Sequence, residues 1–230
     1  MLASIAAPAR HLRVVPPVSA LHGRTAEIHS PSRVGTKISF DRHETIFRAG
    51  DAAVGIFEIL AGAVMVYQLL EDGRRQVVEV VLLGGLVGFA VNGTYPSTCE
   101  ALTFVKLHSY RTCDLDHSPE LGARIGAHAQ AQICAIHQHV LALGRMTAEE
   151  RVAGLLARFA DLGLRHSGRS ISLELPMTRG EIGDHLGLSL ETICRTLTGF
   201  QQKGVLALGK KRGEVIVKNL RRLRQMAGLE

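Results

Sequence analysis

Glu191, Cys194 and Arg195 fall within about one helical turn of one another, shortly after Ser189. Their side chains suit the polar edges of another molecule. An arginine guanidinium is a flat fork that can give two parallel hydrogen bonds, which matches O6 and N7 of guanine in a DNA major groove. A glutamate carboxylate only accepts, and so fits the amino group of cytosine. One such base-reading pair discriminates by about 1–3 kcal/mol. The same spacing also allows a plain i,i+4 ion pair between Glu191 and Arg195, worth about 0.3–0.5 kcal/mol and carrying no recognition. Cys194 adds redox chemistry. A helix start and the neighbouring Arg195 both favour a thiolate, and oxidation to sulfinate or sulfonate would set negative charge against nucleic-acid phosphate. The plainer reading of Cys194 is a small side chain where serine would serve.

These three residues need a helix presented at its N-terminal end. Thr178-Arg179-Gly180-Glu181 reads as a capping box that opens a short helix to about Leu186. Gly187 can take the left-handed conformation that ends it, and Ser189 is a good N-cap for a second helix from Leu190 to about Lys203. Ile182, Leu186, Leu188, Ile193 and Leu197 can hold the two together as a helix-turn-helix. On the second helix Leu190, Glu191, Cys194 and Arg195 are expected on the exposed face, with Thr192, Thr196 and Thr198 to the side. Gly204 ends it. The apolar runs 205–208 and 215–217 then flank Gly209-Lys210-Lys211-Arg212-Gly213, a hairpin with a basic tip. The unit is a winged helix-turn-helix. Its expected contacts to the DNA backbone are Thr178, Arg179, Ser189, Thr192, Thr196, Lys210, Lys211 and Arg212.

Charge is distributed accordingly. Met1 to Gly144 carries twelve Lys+Arg against twelve Asp+Glu, and Arg145 to Glu230 carries fifteen against nine, so the whole excess of +6 lies in the last third. That is the footprint a polyanion would need, although a solvated basic face would look the same.

Upstream, residues 117–146 read as one long helix, with Pro119 in its first turn. Ile125, Ala129, Ile133, Ile136, Val140 and Leu143 make a heptad-like stripe, which suggests a homodimer seam. Packing on its own chain is the alternative. Thr147-Ala148-Glu149-Glu150 is a further capping box, so a hinge is expected between Gly144 and Thr147. From Arg33 to Thr112, short apolar runs alternate with Gly and Asp turns, as in an antiparallel barrel or jelly-roll. Glu71-Asp72-Gly73-Arg74, between the runs 64–69 and 76–81, predicts a hairpin in which both Asp72 and Gly73 can take positive φ. The proline-rich stretch 1–32 lacks acids before Glu27 and is expected to be a flexible tail; a mitochondrial presequence would share its composition. The expected domains are therefore a tail (1–32), a β-roll (33–116), a dimerisation helix (117–146) and a winged helix-turn-helix (147–230), an α+β architecture.

Composition narrows the function further. At 46% hydrophobic residues the chain can build a core, and 4% aromatics without Trp make that core aliphatic. No apolar run is long enough to span a membrane. Four Cys at unrelated spacings fit a reducing cytoplasm. An enzyme would need convergent acid/base residues, and the strands offer few beyond Glu58, Glu79 and Glu100.

The segment from Leu186 to Leu197, LGLSLETICRTL, resembles the recognition helix of the CRP/FNR superfamily, and most of all its FNR and FixK branch, whose pattern is Glu-x-x-Ser-Arg. The similarity extends over about Arg33 to Ala227 and includes the hairpin at 71–78 and the turn at Leu86-Val87-Gly88-Phe89. It implies a cyclic-nucleotide-binding-like β-roll, a long dimer helix and a winged helix. It also implies a cytoplasmic homodimeric transcription regulator, an activator with RNA polymerase as partner, on a TTGA/TCAA-type palindrome. Glu191, Cys194 and Arg195 match the base-contacting positions, with Cys194 replacing serine. The family's effectors fit less well. Gly85-Leu86-Val87-Gly88 lacks the glutamate of a cyclic-nucleotide phosphate cassette, and no arginine stands in 95–100 to pair with a phosphate. Cys99, Cys113, Cys134 and Cys194 lie in different elements, which argues against an iron–sulfur cluster; the first three are expected to be packing residues. His137 and His139 diverge on their helix, are not a metal pair and are expected on its surface. The expectation is thus an effector-independent regulator with no cofactor and no metal. The alternative is a ligand-gated one that senses a haem-bound gas or a metabolite in the β-roll.

Overall fold

The computed structural model describes residues 36–111, 119–162, 166–167, 170–211 and 213–228. The expected tail at 1–32, Cys113 and Arg212 therefore lie outside the described residues. The N-terminal part is built from β1 (Thr36–Phe40), β2 (Thr45–Phe47), β3 (Gly55–Ala61), β4 (Ala63–Leu69), β5 (Arg75–Leu82), β6 (Leu86–Val87), β7 (Thr98–Ala101) and β8 (Val105–Arg111). Two antiparallel four-stranded sheets form, in the orders β1-β8-β3-β6 and β2-β7-β4-β5. Alternation dictates this arrangement. Along β3, Phe57 and Ile59 are buried while their neighbours are only half-buried, so one face of the strand points into the roll. Phe47, Phe57, Val64, Tyr95, Cys99 and Leu107 fill the interior. Phe47 stacks on Tyr95 at 4.1 Å, and the Tyr95 hydroxyl donates to the Gly55 carbonyl at 2.9 Å.

The hairpin between β4 and β5 forms where the sequence predicts it, paired from Leu69–Arg75 to Ala63–Leu82 with a shift of register between Val66 and Tyr67. Its turn differs from expectation. Gly73 has φ +83°, but Asp72 is not among the positive-φ residues. The Asp72 carboxylate instead accepts from the Arg74 amide at 3.0 Å and from its Nε at 2.6 Å. A side chain that holds its own turn in this way makes a second left-handed residue unnecessary.

Helix α1 (Pro119–Arg145) runs for 27 residues, roughly 40 Å at 1.5 Å per residue. One face packs on its own chain. Arg124 donates to Glu58 at 3.0 Å, Gln132 donates to Glu79, and His139 lies against His185. The expected stripe occupies an arc of about 80° at 100° per residue and runs along the border between the packed and the open side of the helix. Ile136 lines a small inward cavity beside His139, whereas Ile133 and Val140 are 54% and 59% exposed. Ile125, Ala129 and Leu143 are half-buried, as is Ile136. Leu141, outside the stripe, is 57% exposed. The described chain thus leaves an apolar edge of α1 uncovered. His137 is exposed as expected, but His139 is not, because two residues turn a helix by about 200°.

Helix α2 (Ala148–Leu162) begins at its capping box, with the Thr147 amide donating to Glu150 at 2.7 Å and the Glu150 amide to Thr147 Oγ1 at 3.3 Å. Strands β9 (His166–Ser167), β10 (Ser170–Glu174), β11 (Leu206–Leu208) and β12 (Glu214–Val217) make a third antiparallel sheet in the order β11-β12-β10-β9. Helix α3 (Arg179–Leu186), α4 (Leu190–Gln202) and α5 (Leu220–Met226) complete the fold. Val152, Leu156, Ile193 and Phe200 share one apolar cluster with Met65, Val77 and Val80 of the roll. The C-terminal helices are therefore seated on the outer side of the β4–β5 hairpin.

Candidate nucleic-acid interface

The site is α3, the turn after it, α4 and the β11–β12 wing. Thr178 caps α3 from an extended conformation, and both hydrogen bonds of the box form: the Thr178 amide to Glu181 at 2.6 Å and the Glu181 amide to Thr178 Oγ1 at 3.2 Å. Gly187 then adopts φ +64°, ψ +38°, a conformation that strains a residue with a Cβ. Gly183, which the sequence reading passed over, closes the same turn. Its carbonyl takes the Leu188 amide at 3.0 Å, and a Cβ there would stand 2.5 Å from the Leu188 oxygen. A glycine inside a helix, four residues before a second glycine, was the available signal.

Ser189 caps α4, accepting from the Thr192 amide at 3.1 Å, and its hydroxyl meets that of Thr192 at 2.8 Å. Ile193, Leu197 and Phe200 bury one face of α4 against α2 and α3. Glu191 and Arg195 stand on the other face, their side chains 80% and 81% exposed and 3.6 Å apart. The i,i+4 pair is therefore formed, but in solvent it holds neither residue firmly. Leu190 is exposed beside them.

Cys194 is half-buried, and a cation other than the expected Arg195 bonds its sulfur. Arg179 Nη1 lies 3.4 Å from Sγ, while Arg195 turns to Glu191. The fold thus brings Arg179, Glu191, Cys194 and Arg195 to one surface, with Thr178 half-buried at its edge. Thr196 departs from expectation. It is 8% exposed and sits on the packed side of α4, one residue from Leu197, so its hydroxyl is not offered to a backbone phosphate. Thr198 is exposed and donates to the Cys194 carbonyl at 3.0 Å. Lys210 and Lys211 are exposed on the wing, where Glu214 accepts from the Lys211 amide at 3.2 Å and shapes the tip.

Other cysteines separate by environment. Cys99 is fully buried, and burial pushes its thiol well above the usual range. Cys134 is exposed on α1, not packed as expected. Among the described residues, no group of three or more His, Cys, Asp or Glu is placed to hold a metal, and no helix is long and apolar enough to cross a membrane. A cleft of about 500 Å³ lies outside the roll, between Gly62 and Leu82 on one side and Ser172, Glu174 and Lys211 on the other.

Two family descriptions match this architecture: a Crp-like helix-turn-helix domain over residues 150–226 and a cyclic nucleotide-binding domain over residues 37–115. The nitrogen fixation regulation protein FixK of Bradyrhizobium diazoefficiens is 31% identical over 187 residues, 80% of this chain and 79% of its own. The transcriptional activator protein FnrL of Cereibacter sphaeroides is 34% identical over 198 residues, 83% of this chain and 79% of its own. The chain belongs to the CRP/FNR family. The structure of FixK2 from Bradyrhizobium japonicum superposes with a TM-score of 0.76 at 29% identity, over 84% of this chain and 97% of that one. This CRP/FNR protein falls in the FixK-like branch and is a DNA-binding transcription regulator, not an enzyme.

Proposed function

We propose that two copies of the chain pair along α1 and place two α4 helices in successive major grooves of a TTGA/TCAA-type palindrome, activating transcription with RNA polymerase as the second partner, in the cytoplasm. The observation that carries this is the exposed Glu191–Arg195 pair at the N-terminal end of α4, with the basic wing alongside. Helix-turn-helix dimers read half-sites about 34 Å apart, and the N-terminal residues of the second helix do the reading. Arg195 and Glu191 read bases, and Cys194 adjoins them. Arg179, Thr178, Ser189, Thr192, Lys210, Lys211 and Arg212 serve the phosphates. The uncovered edge formed by Ile133, Val140 and Leu141 supports pairing along α1. Functionally the chain divides as the sequence suggests: a roll to 116, a dimer helix from 117 to 146 and a DNA-binding unit from 147.

No small molecule is needed for this activity. What supports that is the roll itself, whose interior is occupied by Phe47, Phe57 and Tyr95, and whose 85–88 segment lacks the acid of a cyclic-nucleotide cassette. Names of relatives suggest nitrogen-fixation genes as targets. Oxidation of Cys194 switches the protein off by placing an anion against DNA.

The test is binding of effector-free protein to a TTGA-N6-TCAA duplex across a salt series, with Arg195→Ala as control. Loss of sequence discrimination in the variant is the expected result. Uniformly weaker binding with a shallower salt slope would reassign Arg195 to the phosphates. A parent protein that stays monomeric and ignores the duplex would end the reading.

A further inference from the structure

Helix α3 is gripped by the roll at its C-terminal end. Arg75 at the start of β5 donates through Nε to Asp184 Oδ2 at 2.9 Å, and its Nη2 lies at the same distance from that oxygen. The Arg75 guanidinium also lies 5.3 Å from the Tyr67 ring, so it is held between β4 and α3. Both charged side chains are about two-thirds covered, at 27% and 34% exposure, which screens the pair less than a surface one. Next along the strand, the Gln76 amide donates to the His185 carbonyl at 3.4 Å, and His185 Nδ1 meets the Val77 carbonyl at 3.1 Å. Three successive residues of one strand thus meet two successive residues of one helix, more than a hundred positions away in sequence.

We propose that this β5 clamp is the positioning device for DNA binding: it holds α3, and α4 through the rigid Gly183–Leu188 turn, at the angle that lets two recognition helices reach two half-sites. The proposal rests on the DNA-binding reading above and goes beyond it by naming what replaces an effector. Asp184 and His185 face the roll, whereas Glu191 and Arg195 remain four-fifths exposed, so the clamp orients the reading face without covering it. A protein whose competent orientation is already dominant binds without the loss that sampling it would impose. Half-site spacing makes orientation matter, because a tilt of α3 in each protomer changes the distance between the two α4 helices.

Charge-neutral variants Arg75→Gln and Asp184→Asn, and the swap Arg75→Asp with Asp184→Arg, test this in the full-length chain. Affinity is measured on TTGA-N6-TCAA, on the same arms separated by seven base pairs, and on a duplex with one arm only. Melting temperature controls for folding. Each single variant is expected to weaken binding to the six-base-pair spacing about tenfold, to narrow its preference over the seven-base-pair spacing, and to leave the one-arm duplex unchanged. The swap is expected to recover most of the loss. Unchanged affinity and spacing preference in both single variants overturn the clamp while leaving DNA reading intact. Tighter binding in them also overturns it, since the contact would then restrain the helix. Equal losses on all three duplexes mark a merely structural contact. A parent that ignores every duplex removes the DNA reading itself, and the clamp's role with it.

Discussion

The face of α4 and the seat of α3 both carry charged and polar side chains, yet they use them in opposite ways. On α4, Glu191 and Arg195 point into water, and their mutual attraction is weak and screened. At the seat, His185 is 4% exposed and its ring stacks on that of His139 at 4.2 Å, nearly parallel. Glu79 and Arg158 line the same small cavity. Burial drives every one of these groups toward its neutral form: Glu79 upward, Arg158 and His139 downward, and His185 down to about 4. Polar groups left in solvent keep their bonding capacity for a partner. Polar groups inside spend it on orientation, and any one left without a partner destabilises the fold. His139 Nε2 is such a group, buried with no hydrogen-bond partner.

Acidification gives the widest separation between the two regions. His185 binds a proton near pH 6.5 in the unfolded chain but only near pH 4 in the folded one, so its share of stability is complete above pH 6.5 and drains away as pH falls toward 4. The share is at most about 3 kcal/mol; His139 adds to it, and Glu79, shifted the other way, offsets part. Urea midpoints are therefore expected to fall steadily from pH 7 to pH 4.5, and His185→Gln is expected to flatten the slope. An unchanged slope in that variant would place the titration elsewhere.

Arg151 ranks next. Its guanidinium donates to the carbonyls of Leu143 at 2.8 Å, Met146 at 2.9 Å and Leu186 at 2.9 Å, tying the end of α1 to the end of α3. Arg151→Ala is expected to lower stability by about 2–3 kcal/mol in urea denaturation. Arg151→Lys should recover less than half, because a point ammonium cannot reach three carbonyls at once. Full recovery by lysine would mean that charge, not the fork, matters there.

Thiol chemistry has the smallest structural effect and the sharpest contrast. Peroxide is expected to abolish DNA binding with no change in melting temperature, and mass spectrometry should find oxygen on Cys194 and none on Cys99. Cys194→Ser is expected to keep binding DNA under peroxide. Equal loss in that variant would end the redox idea.

Much of this was legible in one dimension because it is local. A capping box spans four residues, a left-handed glycine acts at its own position, and an N-cap serine bonds three residues ahead; α3, α4 and the wing strands follow from these rules at the residues named for them. The types and spacing of Glu191, Cys194 and Arg195 were equally local. What the sequence could not decide was which side of each helix another element would cover. Residue type and spacing make Thr196 accessible, His139 surface and Cys134 packed, whereas Thr196 is packed, His139 is stacked and Cys134 is exposed, since each depends on a neighbour far along the chain. The Arg75–Asp184 contact spans 109 positions, and no periodicity links its two ends. Sequence by itself determined the winged helix-turn-helix and the residues on the exposed face of its second helix, because capping and turn formation act over three or four residues. Only the tertiary structure decided where that unit sits on the roll, because seating depends on surfaces that exist only after both parts have folded.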